Sequence, residues 1–531
     1  MTVSLAEYIE RNAAVYPSHV AVICEGRETD WARMLVRCRA IAGGLNHLGL
    51  VKGDRIAFLG LNSDWFFECY YAPSFAGIEL VALNYRLSAR EMVECLVDSQ
   101  AKVLLVDAHF LDLARVAVAR CDAPVQLVLV GAQETGPVEI GPGEIGPDEI
   151  GYEALIAQGH APSTEKGAGD DTLIIFYTGG TTGRAKGVML SHWNIFANSM
   201  GAAPHYGYIK HERHLIIGPM FHTAAGSRIY SCALMPGEAV VQPKFTVEGF
   251  LSLTQTHRIS STQFVPAMMQ AVLEHPDFTK YDLSSLRQMT WGASSTSEAL
   301  LHRIVKAFPH VDLVHGYGAT EAAPVITGLG PAYHRADFAE RGKLGSVGYP
   351  AMHVDVRIFD EQDREVRRGE IGEIVVRGPN VMKGYLNMPD ATAEALRGGW
   401  YHTGDAGYQD ADGCLWISGR LKDMIISGGE NIYPAEVEDV LSRHPDVAEV
   451  AVIGIPSTQW GEAVHAIVIR AEGAIPSEQD LIAFARKQLA GYKCPKTVEF
   501  RTQPFPLSGA NKVLKTELRA PYWDPRRGVD P

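Results

Sequence analysis

YTGGTTGRAKGV, residues 177–188, packs four glycines, three threonines and a lysine into twelve positions directly after the apolar run 172–176. That run reads as the end of a strand, so the stretch is a loop closing a strand. Glycines let backbone N–H groups turn toward an anion without steric cost, the threonines add hydroxyl donors, and Lys186 adds a positive charge. This is phosphate-loop chemistry. The common nucleoside-triphosphatase loop is excluded, because it needs Ser or Thr directly after its Gly-Lys pair and here Gly187 follows Lys186. Taken alone the stretch also reads as a surface Gly/Thr turn, so partners elsewhere in the chain must decide.

A chain of 531 residues exceeds what one core normally holds, so at least two domains are expected. With 46% hydrophobic and 21% charged residues the composition is that of a soluble globular protein. The formal net charge of -14 argues against a general nucleic-acid binder, although a triphosphate site can still be positive locally. The polar, helix-patterned start MTVSLAEYIERN predicts no secretory leader, and no window of eighteen apolar residues free of charge predicts a membrane span. Eight scattered cysteines without a Cys-x-x-Cys pair read as small buried hydrophobes in a reducing cytosol. The expected location is therefore cytoplasmic.

Up to about residue 165, helix patterns (5–12, 30–48, 63–77, 89–99) alternate with strand patterns (20–24, 55–59, 102–106), which makes an α/β fold the default. The aromatic group Trp65, Phe66, Phe67, Tyr70 and Tyr71 reads as core or interface packing, and the Gly/Pro/acid-rich stretch 131–165 as a surface excursion. Beyond the loop, helices are expected at 191–200, 246–255 and 266–275, with strands at 214–218, 238–241, 260–264, 286–290 and 311–314. Three of these strands run into small-residue segments: PMFHTAAG at 219–226, WGASSTSE at 291–298 and HGYGATEAAP at 315–324. His222 lies just past a strand end, where α/β sheets place ligand-facing groups, and reads either as a structural hydrogen-bonder or as a substrate-side residue. Tyr317 offers a ring to stack on a base or pack in a core, and Glu321 a hard oxygen suited to magnesium.

From 345 to 419 the pattern changes to short strands (354–359, 372–377, 407–409, 414–418), a smaller β-rich subdomain. There YHTGD at 401–405 is expected to end a turn on Asp405, able to accept from both hydroxyls of a ribose or to cap its own turn. GRLKDMIISGGENIYPAEVE at 419–438 sets Arg420 and Lys422 before a Gly-Gly pair and a helix starting near Pro434. The domain changes here. The remainder reads as a compact α+β unit, with strands at 447–454, 463–470 and 497–500 and a helix at 478–489. It ends in FPLSGANKVLK, which carries Lys512 on a loop of small residues.

The chain resembles the adenylate-forming superfamily of acyl- and aryl-CoA synthetases, luciferases and peptide-synthetase adenylation domains. The resemblance spans essentially the whole chain. It rests on six motifs in family order: YTGGTTGRAKGV, PMFHTAAG, HGYGATE, YHTGD, GRLKDMIISGGENIYPAEVE and PLSGANKVLK. Lys422 fills the hinge position, where such enzymes carry Lys or Asp, and ISGGENIYP and IPSTQWGE resemble free-standing CoA ligases more than peptide-synthetase modules. The implied architecture is a large α/β domain at 1–419 with stacked αβ sheets and a β-rich subdomain, a hinge at 420–422, and a small mobile α+β domain at 423–531.

The resemblance implies an ATP-dependent, AMP-forming carboxylic acid:CoA ligase using Mg2+, with ATP, CoA and a small acid as partners. Thr178, Gly179, Gly180, Thr181, Thr182, Gly183 and Lys186 would hold the β- and γ-phosphates, with Glu321 and Thr178 near the magnesium. Ala293, Ser294, Gly316, Tyr317, Gly318 and Thr320 would form the nucleotide turn around adenine, and Asp405 and Arg420 would bind the ribose. His222 would border the acyl pocket and Lys512 would bridge carboxylate and ribose in the first step. Lys422 would be the pivot that brings Gly428, Gly429 and Glu430 to the site for the CoA step. Homodimers are common among such enzymes.

The chain departs from the family pattern in places. Gly179 and Ala185 stand where Ser and Pro are usual, and Asn511 where Gly is usual beside the lysine. Trp291 replaces a common glycine and either narrows the acyl tunnel or belongs to the core. The expected pocket segments, 222–227, 264–269, 291–292 and 322–325, carry few charges and suit a hydrophobic acid. His222 stands where amino-acid-activating members place an aspartate, and Gly226 where some long-chain enzymes place a gating tryptophan. The adaptable pair Met268 and Met269 favours a medium- or long-chain fatty acid. The alternatives are an aryl or arylpropenoate acid of the coumarate, ferulate or benzoate kind, and a non-catalytic nucleotide-binding homologue.

Overall fold

Strands that are apolar along their whole length need cover on both faces. Arg55–Leu59, Glu79–Ala82, Val103–Asp107 and Thr172–Thr178 come near this, with charged or polar residues only toward their ends, and become the buried centre of a sheet. The computed structural model describes residues 3–131, 149–163, 165–178, 185–292, 298–335, 342–507 and 513–523. Within these, the sheet runs in the order Gly384–Tyr385, Lys186–Ser191, Thr172–Thr178, Glu79–Ala82, Arg55–Leu59, Val103–Asp107, Gln126–Val130, Ile150–Gly151. Its first two junctions are antiparallel and the rest parallel.

A second sheet, of nine strands, has six parallel neighbours at its heart: Asp312–Gly318, Gln288–Gly292, Ser261–Phe264, Arg213–Ile216, Glu238–Val241 and Val20–Cys24. The helix Thr223–Leu234 and the aromatic group pack in one core with apolar residues from both sheets. Phe66, Phe67, Tyr70 and Tyr71 are all buried there, as their pattern predicts. The phenols of Tyr70 and Tyr71 donate to the carbonyls of Met220 and Ile229, which ties the aromatic group to that helix and the turn before it.

Local signals explain most element ends. Ala89–Ser99 starts at a capping box of Ser88 and Glu91, and Pro434–Ser442 starts with proline at its first position. The expected helix at 63–77 is two pieces, Asp64–Cys69 and a 3-10 turn Ala72–Ala76, because Pro73 cannot donate to the preceding turn. Only part of the expected surface excursion lies within the described residues, and that part is built into the fold. Ile150–Gly151 extends the sheet, and the helix Tyr152–Ala157 buries Tyr152, whose hydroxyl donates to Glu68 at 2.9 Å.

A four-stranded antiparallel sheet follows: Asp355–Phe359, Gly372–Arg377, Tyr401–Gln409 and Leu415–Arg420. YHTGD is therefore not a turn but the first half of a nine-residue strand. The glycine disguises it: Gly404 has φ +70°, and the register slips opposite Glu373–Val375, a local irregularity inside a continuing strand. Leu415–Arg420 leads through the short turn Leu421–Asp423 into a separate sheet of Glu430–Ile432, Ile425–Ser427, Gly461–Arg470, Val447–Ser457 and Thr497–Arg501. That sheet has its own core around Val437, Leu441, Val452, Val464 and Leu481. No helix among the described residues is long and apolar enough to cross a membrane.

Candidate active site

The phosphate-loop stretch begins and ends on two paired strands. Thr172–Thr178 and Lys186–Ser191 pair antiparallel, with Thr178 opposite Lys186, and the Thr178 hydroxyl donates to the Lys186 carbonyl at 3.4 Å. Tyr177 anchors the base of the hairpin through its hydroxyl on Asp98 at 2.8 Å. Gly179, Gly180, Thr181, Thr182 and Gly183 lie outside the described residues.

Tyr385, which the sequence reading did not single out, joins this hairpin to the metal-ligand candidate. Its two-residue strand pairs with Lys186–Ser191, with Tyr385 opposite Val188. Its hydroxyl donates to Glu321 Oε1 at 2.8 Å, and the Lys186 ammonium stands 4.7 Å from its ring centroid. One side chain thus links lysine and carboxylate. Burial and the Glu321 carboxylate push the Tyr385 phenol well above its ordinary value, which keeps it a neutral donor. Magnesium takes one or two carboxylates and completes its shell with phosphate oxygens and water. Glu321, held at one oxygen by Tyr385, fits that pattern; no cluster of three metal-ligating side chains exists among the described residues.

The ribose candidates also converge. Asp405 and Arg420 are direct partners across two strands, with Nε to Oδ1 at 2.8 Å, and Tyr317 donates to Asp405 Oδ2 at 2.7 Å. Burial and the neighbouring Asp405 push the Tyr317 phenol well above its ordinary value, so it too remains a donor. Thr320 opens the 3-10 turn Thr320–Ala322, which carries Glu321 four residues after Tyr317. One short segment therefore connects the ribose cluster to the phosphate cluster.

Close packing alone already requires glycine beside it. A Cβ on Gly316 would meet the Tyr206 hydroxyl at 2.4 Å, and one on Gly318 the Pro324 carbonyl at 1.8 Å. Ala293 and Ser294 lie outside the described residues, as do Asn511 and Lys512.

His222 caps the helix Thr223–Leu234: its Nδ1 accepts from the Ala224 amide at 3.3 Å, which assigns the proton of the neutral ring to Nε2. Four residues on, a Cβ at Gly226 would stand 2.9 Å from both Phe176 Cζ and the Tyr70 hydroxyl, so these two rings occupy the place expected for a gate. Trp291 is core. It is 2% exposed, stacks on His315 at 3.6 Å and 8°, and turns its indole N–H toward His334 Nε2 at 3.4 Å. Met269 is packed into the same cluster, while Met268 stays partly exposed.

Gly428, Gly429 and Glu430 are not brought to these clusters. They form the exposed bend of a hairpin in the C-terminal sheet, where Gly428 donates to the Trp460 carbonyl at 2.8 Å.

Comparison with known proteins agrees with this geometry. Residues 9–386 match the model of the AMP-binding enzyme family, and residues 436–512 that of the AMP-binding enzyme C-terminal domain. A feruloyl-CoA synthase of Amycolatopsis is 39% identical over 517 residues, covering 97% of this chain and 98% of its own. A long-chain-fatty-acid–CoA ligase of Mycobacterium tuberculosis is 35% identical over 493 residues, covering 93% of both. The structure of o-succinylbenzoate coenzyme A synthetase from Bacillus subtilis, in complex with ATP and magnesium ion, superposes with a TM-score of 0.82. It is 28% identical and covers 98% of this chain and 100% of its own. CoA ligases of this kind use ATP, Mg2+ and CoA. The chain belongs to the AMP-binding enzyme family and, within it, to the AMP-forming acid–CoA ligases.

Proposed function

We propose that the protein activates a hydrophobic carboxylic acid as its acyl-adenylate and passes the acyl group to CoA. A carboxylate oxygen attacks the α-phosphorus of ATP and the bond to pyrophosphate breaks; the CoA thiolate then attacks the acyl carbon and AMP leaves. Such chemistry needs charge neutralisation and alignment more than a side-chain nucleophile. The observation that carries the reading is the segment from Tyr317 to Glu321, which ties the Asp405–Arg420 pair to the Tyr385–Lys186 hairpin.

Asp405 accepts from the ribose hydroxyls while Arg420 and Tyr317 fix its orientation. Lys186 and the loop before it receive the β- and γ-phosphates, and Tyr385 holds Glu321 ready for the metal. Magnesium, when bound, neutralises phosphate charge. Lys512 bridges the reacting carboxylate and ribose in the first step and withdraws in the second. The units 1–419 and 423–531 rotate about 420–422, with Lys422 as pivot, to bring Gly428–Glu430 to the thiol. The exposed position of that hairpin is compatible with an adenylation-side orientation.

For the acid, a medium- or long-chain fatty acid is supported by the partly exposed Met268 and by the mycobacterial relative. An arylpropenoate is supported by the 39% identity to a feruloyl-CoA synthase and by aromatic rings rather than open space at Gly226. The protein works in the cytoplasm, in keeping with eight free thiols, seven of them buried. Its assembly as a homodimer is to be read from its mass in solution. A panel of fatty and aromatic acids, assayed for CoA-dependent AMP release, tests the reading: release with one class identifies the substrate, and no release with any acid rejects it.

A further inference from the structure

Arg228 sits on the helix that His222 caps, and it is 2% exposed. Its Nη1 lies 3.0 Å from His214 Nδ1 and donates to Ser261 Oγ at 2.7 Å, while Nη2 donates to Thr290 Oγ1 at 2.7 Å. Those three hydrogen-bond partners stand on three neighbouring strands, Arg213–Ile216, Ser261–Phe264 and Gln288–Gly292, and the Tyr208 ring faces the guanidinium with its centroid 5.1 Å from Cζ. All are uncharged. Burial, and then Arg228 itself, hold His214 well below its ordinary pKa, and the hydroxyls already give their protons to Gln288 Oε1 and to the Thr262 carbonyl. Glu212, the buried acid of this region, pairs with Arg287. Arg228 makes no ion pair among the described residues, and its Nε is buried with no hydrogen-bond partner.

A guanidinium taken out of water with neutral partners and an unused donor lacks the counter-charge that buried charges ordinarily keep. Its place indicates where that partner comes from. Ala224 and Ala225 lie one turn before it on the same side of the helix, whereas Gly226 faces Tyr70 and Phe176 on the other. Six residues separate Arg228 from His222, a rise of about 9 Å along the helix axis.

We infer that Arg228 is a specificity-determining residue that receives an acceptor oxygen at the far end of the acid, six helical residues beyond His222. The class selected is a carboxylic acid tipped by a phenolic, hydroxyl or second carboxylate oxygen, with its apolar middle along Ala224 and Ala225. This rests on the ligase reading and on His222 standing at the reacting end. A plain acid of equal length leaves Nε unpaired, and a site built around a buried donor discriminates strongly against a partner that lacks the acceptor.

The test is acid-dependent ATP–pyrophosphate exchange by the full-length protein with matched acids: cinnamate against 4-hydroxycinnamate, and octanoate against octanedioate. The parent should favour one oxygen-tipped acid by roughly tenfold or more in kcat/KM, mostly through KM, and Arg228→Met should reduce that ratio to within about twofold. Arg228→Lys, which keeps the charge, should give an intermediate ratio. The arm that responds tells a phenol from a second carboxylate. A parent that turns over the acids without preference overturns the inference while leaving the ligase reading intact, as does a folded Arg228→Met that keeps the parent ratio. If Arg228→Met does not fold, the parent and Arg228→Lys ratios decide. Exchange with none of the four acids overturns the inference, and the ligase reading falls with it only when the wider panel of fatty and aromatic acids fails as well.

Discussion

Replacing Tyr385 with Phe removes one oxygen and leaves the rest of the site in place. The ring that faces the Lys186 ammonium at 4.7 Å remains, and what is lost is the 2.8 Å hydrogen bond to Glu321 Oε1. Hydrogen bonds to charged groups contribute about 1.5–3 kcal/mol. Tyr385 is buried but Glu321 is only half-buried, so water replaces part of the loss and the low end applies, about 1.5 kcal/mol or roughly tenfold. On the role proposed for Glu321 beside the metal and phosphates, the loss should fall on kcat/KM for MgATP in acid-dependent ATP–pyrophosphate exchange. Thioester formation from supplied acyl-adenylate should stay near the parent rate. Tyr385→Ala, which also removes the platform beside Lys186, should cost more than Phe. An unchanged kcat/KM for MgATP in Tyr385→Phe, or an equal fall in both half-reactions, would refute the reasoning.

Lys186→Ala should lower kcat/KM for ATP by about 1.5–3 kcal/mol, because a charge-assisted phosphate contact is lost; steady-state kinetics at saturating acid check this. Trp291→Gly should destabilise the fold by about 3–5 kcal/mol through the cavity left against His315, read as a fall in melting temperature; a stable variant with an altered acid preference would restore a tunnel role. Burial holds His315 near pKa 3 and His334 near 4 in the folded chain, against about 6.5 when unfolded. The unfolded state therefore binds more protons between pH 6.5 and 4, and stability falls as pH drops through that window, by about 1 kcal/mol per histidine near pH 5.5. The melting difference between pH 7 and 5.5 should shrink in His315→Gln, and an unchanged difference contradicts the assignment. Lys512→Ala should nearly abolish acyl-adenylate formation while supplied adenylate still reacts with CoA; Lys422→Pro should show the reverse, since fixing φ at the pivot hinders only the rotation.

The elements legible in the sequence were those with local punctuation. The helix Ala89–Ser99 carries its own capping box, Pro434 opens the next domain's first helix, and Val20–Cys24 and Gly372–Arg377 alternate or run apolar between turn residues. Tyr401–Gln409 was hidden because Gly404 and Asp405 mimic a turn, while the strand is continued by pairing with Gly372–Arg377 and Leu415–Arg420 and the Gly404 amide donates to the Glu373 side chain at 3.0 Å. Motif chemistry singled out Tyr317, Asp405, Arg420, Glu321 and Lys186, and the structure links them through Tyr317–Asp405, Asp405–Arg420 and the Tyr385 bridge between Glu321 and Lys186. Tyr385 was not singled out, since its two-residue strand takes its meaning from a partner near Val188, far away in the chain. Arg228 was passed over for the same reason: only the packing of three strands beneath it shows a buried charge.

The central claim is that the acid is activated as an adenylate before CoA takes part. Incubating the protein with MgATP, labelled pyrophosphate and an accepted acid, without CoA, tests it most directly. The account predicts label entering ATP only when acid is present, with AMP as the nucleotide product once CoA is added. Exchange that requires CoA, or ADP and phosphate as products, would contradict it.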